Sequence, residues 1–294
     1  MMLKRYYCYF CRKNMILVVD CGSSKSRWAV IDETENEKRW IGVGFNPNYK
    51  AIEDIKLDIA ENIKNVYCKD IDTVYFYGTG CSTEDNKNKI AKVFKELMPE
   101  TEIVVESDMM AACHALFGRE KGMACIMGTG SNACIYDGKD IECQAVSLGY
   151  ILGDEGSGCY LGKILLHDYF YEIMPCHLRN VFHERFSVTR DDVIRNVYQK
   201  QQASRYLASF AVFLSENFND DYVITLCENS FKSFFDYYVL KLNDNHEYNL
   251  GFVGSVAYCF EDMLRKTASS YSFEVVKVLS SPVEELKKYY KGII

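Results

Sequence analysis

The residues that could do chemistry sit where apolar runs stop. Asp20-Cys21-Gly22-Ser23-Ser24-Lys25-Ser26 follows the run from Met15 to Val19. Small residues let backbone N–H groups come close to an anion, and consecutive N–H groups form a concavity suited to phosphate. Gly22, Ser23, Ser24 and Lys25 are therefore candidate phosphate ligands. Asp20, at the end of the run, is placed to hold a Mg2+ ion through water. Gly128-Thr129-Gly130-Ser131-Asn132 occupies the matching place in the second half of the chain, and two such turns say more than either alone. Leu148 to Gly158, LGYILGDEGSG, concentrates glycine and acid. Asp154 and Ser157 could simply cap a helix there, yet the density favours a site. Ser107-Asp108 opens a helical pattern. An acid in that place is stabilised by the helix dipole, or it serves as a general base for an acceptor hydroxyl. Its place just after a strand favours the second reading, with Glu106 a weaker candidate. Gly254-Ser255, after Phe252-Val253, could lie flat against a purine, a weak signal by itself.

The elements that must carry these residues alternate. Strands are expected at 15–20, 26–31, 39–43, 73–77 and 102–105, with helices at 50–64, 84–98 and 108–117. The first helix rests on an apolar stripe through Ile52, Ile55, Leu57, Ile59 and Ile63. The second half restarts with strands at 123–127, 131–136 and 140–143. A helix-rich stretch over 157–243 comes next, then a strand at 248–253, a helix to about 267, a strand at 273–279 and a last helix after Pro282. Each half thus opens strand, glycine turn, strand. A turn between two strands is not the strand–loop–helix of a P-loop or of a dinucleotide-binding unit. The repeat is one of architecture, not of letters.

The chain has 294 residues, which suits two domains. The division is expected as 1–14, an N-terminal extension; 15–118, a first lobe; and 119–294, a second, with the last helix (about 282–294) packing back on the first lobe. A formal net charge of -7 and the lack of a basic stripe exclude nucleic acid as a partner. No apolar run is long enough to span a bilayer. The 13 cysteines are irregularly spaced and mostly lie in apolar runs, as Cys113, Cys125 and Cys134 do, which reads as reduced thiols in the cytoplasm. The first fourteen residues are basic and aromatic, lack a cleavage site, and read as an extension upstream of a start at Met15. Cys8 and Cys11 form a single CxxC, weak evidence for zinc.

Taken together, MILVVDCGSSKSRW, GFNPN, VYFYGTGCS, SDMMAACHALFG, IMGTGSNACIYDG, LGYILGDEGSGCYLG, FVGSVAY and LSSPVEEL resemble the BadF/BadG/BcrA/BcrD ATPase family, in its N-acetylglucosamine kinase branch. LGYILGDEGSG is the most specific stretch. The resemblance runs from Met15 nearly to the C-terminus. It implies an α/β fold of two ribonuclease H-like, actin-like ATPase lobes, with ATP and Mg2+ in a central cleft that closes on a small-molecule sugar. It implies Asp108 as the base, Asp20 for the metal, and Gly22, Ser23, Ser24, Lys25, Gly128, Thr129, Gly130 and Ser131 around the phosphates. Gly254 and Ser255 would border the adenosine. Asn46, Gly80, Ser131, Asn132, Gly149 and Asp154, with Asp108, would lie near the sugar. A homodimer is common in relatives. One departure stands out: relatives often carry an acid before the Trp, where this chain has Arg27. Two rivals share the scaffold. One is an ATPase activator of the 2-hydroxyacyl-CoA dehydratase type, which needs cysteines for an iron–sulfur cluster, and no ligand run for one lies beside the second turn. The other is a sensor that binds sugar or nucleotide without turnover, against which the retained Asp20, Asp108 and Asp154 argue.

Overall fold

A computed structural model describes residues 15–32, 38–64, 66, 71–200 and 202–292. The N-terminal extension and its Cys8/Cys11 pair lie outside the described residues. The chain divides into two units between Ser107 and Asp108.

The first unit is a five-stranded sheet, β1 (Ile16–Cys21), β2 (Lys25–Ile31), β3 (Lys38–Val43), β4 (Thr73–Gly78) and β5 (Glu102–Ser107), in the order β3-β2-β1-β4-β5. The first three strands are antiparallel, and β4 and β5 continue parallel to β1. Leu17, Val18 and Val19 are all fully buried, so β1 is covered on both faces and reads as a continuous apolar run rather than an alternating one. Helices α1 (Ile52–Ile63) and α2 (Glu84–Leu97) pack one apolar stripe each onto the sheet, Ile55 and Ile59 from the first, Ile90 and Phe94 from the second, against Leu17, Trp28 and Phe76. Helix α2 starts where Thr83 accepts the Asn86 N–H, with Glu84 and Asp85 in its first turn.

The second unit repeats the plan. Strands β6 (Gly122–Met127), β7 (Ser131–Tyr136), β8 (Ile141–Gln144), β9 (Leu250–Val253) and β10 (Val275–Leu279) are ordered β8-β7-β6-β9-β10. The first three of that order are antiparallel and the last two run parallel to β6. Between β8 and β9 lie α4 (Gly149–Leu152), α5 (Gly158–Phe170) and a helical stretch that ends at Leu242. Its phenylalanines, among them Phe182, Phe213, Phe231, Phe234 and Phe235, are buried in the unit's core. A single helical turn at Gly149–Leu152 stands where the sequence suggested loop. The helix expected up to 267 is two helices, Ser255–Cys259 and Glu261–Ser270. No described helix is long and apolar enough to cross a membrane.

Helix α3 (Asp108–Phe117) groups with the second unit, not with the first lobe to which the sequence pattern assigned it. The reason is its buried face. Met109, Ala112, Cys113 and Leu116 pack against Ala124, Cys134, Tyr136 and Val253 of the second sheet. The last helix, Val283–Tyr290, packs on α3. The His114 and Tyr289 rings stack at 4.2 Å. Lys277 Nζ donates to the Ala115 carbonyl at 3.1 Å and pairs with Glu285 at 2.6 Å.

Burial in this contact lowers the His114 imidazole from 6.5 to about 4. Between those two pH values the unfolded chain binds a proton that the folded chain refuses. Stability is therefore fully present above pH 6.5 and falls as pH drops toward 4, by up to about 3 kcal/mol. His114→Phe keeps the stacked ring and removes the titration. Its denaturant midpoint should fall less between pH 7 and pH 4.5 than that of the wild type. Equal slopes would show that His114 is not a source of acid lability.

Candidate active site

In the first unit the strand register aligns the chemistry. Cys21, Gly78 and Ser107 share one rung at the carboxyl ends of β1, β4 and β5, the edge at which open α/β sheets hold ligands. Asp20 lies one rung inside, Gly22 and Asp108 one residue beyond. The Gly22 N–H donates to the Lys25 carbonyl at 3.0 Å, which closes the turn from β1 to β2. Lys25 is exposed.

Gly44 supports this turn from behind. Its N–H donates to the Ser24 carbonyl at 3.3 Å, and a Cβ there would stand 2.1 Å from the Gly22 carbonyl oxygen and 2.4 Å from the Lys25 nitrogen. Motif reading passes over Gly44, although GFNPN begins with it.

Asp20 is nearly buried, at 8% exposure, and faces Arg27 across the β1–β2 pair. The guanidinium is 3.6 Å from its carboxylate. Arg27, the departure noted in the sequence, is thus a neighbour of the expected metal residue. A Mg2+ ion accompanying a nucleotide takes one or two carboxylates, phosphate oxygens and water. Asp20, at the mouth of a turn of small residues, fits that need.

Asn46 and Gly80 come together. Gly80 has φ of 79°, and a Cβ on it would lie 2.2 Å from the Asn46 side-chain oxygen. Two residues that the motifs did not single out hold this pair. The Asn48 N–H donates to Asn46 Oδ1 at 2.9 Å. The buried Asn86, one helical turn into α2, donates to Asn48 Oδ1 at 2.7 Å and to the Gly80 carbonyl at 2.8 Å.

In the second unit two motifs that were separate in sequence form one piece. The turn Gly128–Gly130 is closed by the Gly128 N–H on the Gly130 carbonyl at 3.0 Å. The first amides of α5, which have no partner within their own helix, donate to this turn: Gly158 to the Gly128 carbonyl at 2.8 Å and Cys159 to the Thr129 carbonyl at 3.0 Å. Ser157 caps α5 through its hydroxyl, so of the two capping candidates in LGYILGDEGSG only Ser157 caps it. The Ser131 hydroxyl donates to the Glu155 carbonyl at 2.6 Å. Gly254, with φ of 137°, abuts the same turn, and a Cβ on it would stand 2.2 Å from the Met127 carbonyl oxygen. Ser255 begins the short helix behind it. Asn132 turns back to accept the Ala133 N–H at 2.8 Å. Gly149, with φ of 70°, opens α4, and the exposed Ile151 and Leu152 come after it.

Asp154 has a left-handed backbone, φ 63°, and is 8% exposed. Its carboxylate lies over Gly130, where a Cβ would come within 3.1 Å. It accepts the Ser131 N–H at 3.4 Å and the Cys159 thiol at 3.5 Å. The first is long, and the thiol is a weak donor. No ion pair reaches it among the described residues. Burial pushes its pKa above the usual carboxylate value. Asp108 is half-buried at the first position of α3, with Oδ1 accepting the Met109 N–H at 3.0 Å.

No protein-family model matches the chain, and no curated protein does. Solved structures do. A Porphyromonas gingivalis protein described as a candidate N-acetylglucosamine kinase is 33% identical over 94% of this chain and 99% of its own, with a TM-score of 0.89. A Chromobacterium violaceum protein of the same description is 14% identical over 95% of this chain and 99% of its own, at 0.65. MreB5 of Spiroplasma citri, bound to AMPPNP, is 11% identical over 95% of this chain and 97% of its own, at 0.58. The last two show the fold alone, that of the actin-like ATPases. The chain belongs to the family of the P. gingivalis protein, a sugar-kinase type of protein on the actin-like ATPase fold.

Proposed function

We propose that this chain, a member of the BadF/BadG/BcrA/BcrD ATPase family, transfers the γ-phosphoryl group of ATP to the 6-hydroxyl of N-acetylglucosamine or a related amino sugar. The observation that carries the reading is Asp154. A buried carboxylate is costly unless its lone pairs are used. This one has a long N–H donor, a weak thiol donor, no ion-pair partner among the described residues, and a position over a glycine turn. It suits a ligand rich in hydroxyl donors that comes close to phosphate, and a sugar receiving a phosphoryl group is such a ligand. The likeness to the P. gingivalis protein supports the same class.

The Ser23 and Ser24 amides of the first turn and the Thr129 and Gly130 amides of the second would serve the phosphate oxygens, and Gly254-Ser255 would offer a flat backbone to the adenosine. Asp20 would hold Mg2+, which would supply neutralisation of phosphate charge. The sugar oxygen attacks the γ-phosphorus, the bond from that phosphorus to the β–γ bridging oxygen breaks, and ADP leaves. Asp108 takes the hydroxyl proton. Positioning and charge account for most of the rate in such reactions.

ADP release should be measured over a panel of amino sugars and hexoses, with the phosphorylated product weighed by mass spectrometry. An N-acetylated amino sugar should accelerate ADP release well above the acceptor-free rate. Release that no sugar accelerates would refute the reading.

A further inference from the structure

The long helical segment that starts at Asp221 is α-helical to Phe234, turns π-helical over Phe235–Val239, and resumes at Leu240–Leu242. A π turn inserts one residue, rotates the side chains beyond it about the helix axis, and is frequent at functional sites. Here it holds Tyr238, which is 4% exposed and stacked on Phe234 with ring centroids 4.9 Å apart. The Tyr238 hydroxyl accepts the Asp154 N–H at 3.1 Å and donates to Glu155 Oε2 at 2.9 Å. Burial and the Glu155 carboxylate push its pKa far upward, so the donor proton stays in place at every working pH. Gly153 runs against the same oxygen, 3.3 Å from where its Cβ would be.

We infer that Tyr238 is a positioning residue: one hydroxyl ties the Gly153–Asp154 peptide N–H to the Glu155 carboxylate and so aims the Asp154 carboxylate over the Gly128–Ser131 turn. A non-glycine residue held at positive φ is strained and persists only where its surroundings over-determine it. Asp154 is such a residue. Its own side chain has one long N–H donor and one weak thiol donor, and the bond to its backbone N–H comes from Tyr238. Release of that bond frees the peptide to relax, and the carboxylate moves off the turn while the turn itself stays docked on α5. The role of the carboxylate as a sugar acceptor rests on the function proposed above; the clamp itself does not.

Tyr238→Phe removes the hydroxyl and keeps the ring. Amide hydrogen exchange reads the clamp without any substrate. The Asp154 amide should exchange about tenfold faster in the variant, as expected for loss of one neutral hydrogen bond, while the amides of Gly158 and Cys159 keep their protection. Steady-state kinetics read its consequence. KM for the sugar should rise about tenfold, with KM for ATP unchanged. In the Asp154→Asn background, Tyr238→Phe should add no further loss of sugar affinity, because the group it aims is already gone. Unchanged exchange at Asp154 would overturn the clamp. Sugar effects that add to those of Asp154→Asn, or an equal rise in both KM values, would overturn the positioning role. If the wild type phosphorylates no sugar, the functional reading falls and the exchange result still decides the clamp.

Discussion

With Asp108 as the proposed base, Asp108→Asn should lower sugar phosphorylation by about 10²–10⁴-fold, the range over which a general base contributes, and should leave ATP affinity within about twofold of wild type, because uncharged substitution at a site of proton transfer takes nothing from phosphate binding. Nucleotide titration monitored by intrinsic fluorescence, beside single-turnover phosphorylation, separates the two quantities. Asn keeps the oxygen that accepts the Met109 N–H, so the first turn of α3 stays capped and the variant folds. Turnover retained in the variant would remove Asp108 as the base. Position makes Asp108 a sharp test. It comes directly after Ser107, at the end of β5 and on the rung shared with Cys21 and Gly78. The same residue begins the helix buried against the second sheet. Glu106, the weaker candidate, has its carboxylate paired with Lys87 at 2.8 Å.

Gly44→Ala has the second large effect, and it reverses the order a motif search would give. The added Cβ would meet the Gly22 oxygen at 2.1 Å, the Lys25 nitrogen at 2.4 Å and the Ser24 carbonyl carbon at 2.7 Å. These are backbone atoms, so no rotamer change relieves the contact. The turn has to shift, with an overpacking cost of about 1–3 kcal/mol and a rise of about tenfold or more in KM for ATP, since a 1 Å misplacement at a positioned group is costly. In Gly22→Ala the new Cβ would instead meet only the Lys25 oxygen, at 3.5 Å, an ordinary contact. The apo protein should accept that change with little loss of stability. Denaturant melts of both variants, paired with ATP kinetics, decide the matter. If Gly44→Ala is as stable as Gly22→Ala and binds ATP as wild type does, the turn is not built on Gly44.

Local pattern alone determined much of this protein. The apolar run into Asp20, its counterpart into Gly128, and the glycine turns between paired strands were legible because a strand's burial and a turn's chemistry are written within a few neighbouring residues. So was the duplication, which the two sheets repeat strand for strand. The family resemblance put Asn46 and Gly80 each near the sugar; their contact with one another is a feature of the structure. Tertiary packing decided the rest. Helix α3 carries an apolar face that either sheet could have covered, and only the contact with Ala124, Tyr136 and Val253 assigns it to the second. Gly44 is small because a turn twenty residues earlier in the chain passes behind it. Asn86 holds the Asn46–Gly80 corner from a helix that reads as ordinary amphipathic surface. Tyr238 meets Asp154 across 84 positions, through a π turn that has no marker in the surrounding sequence. Periodicity reports which side of an element is buried. It does not report what that side touches, because the partner is chosen by chain closure and packing far outside any local window.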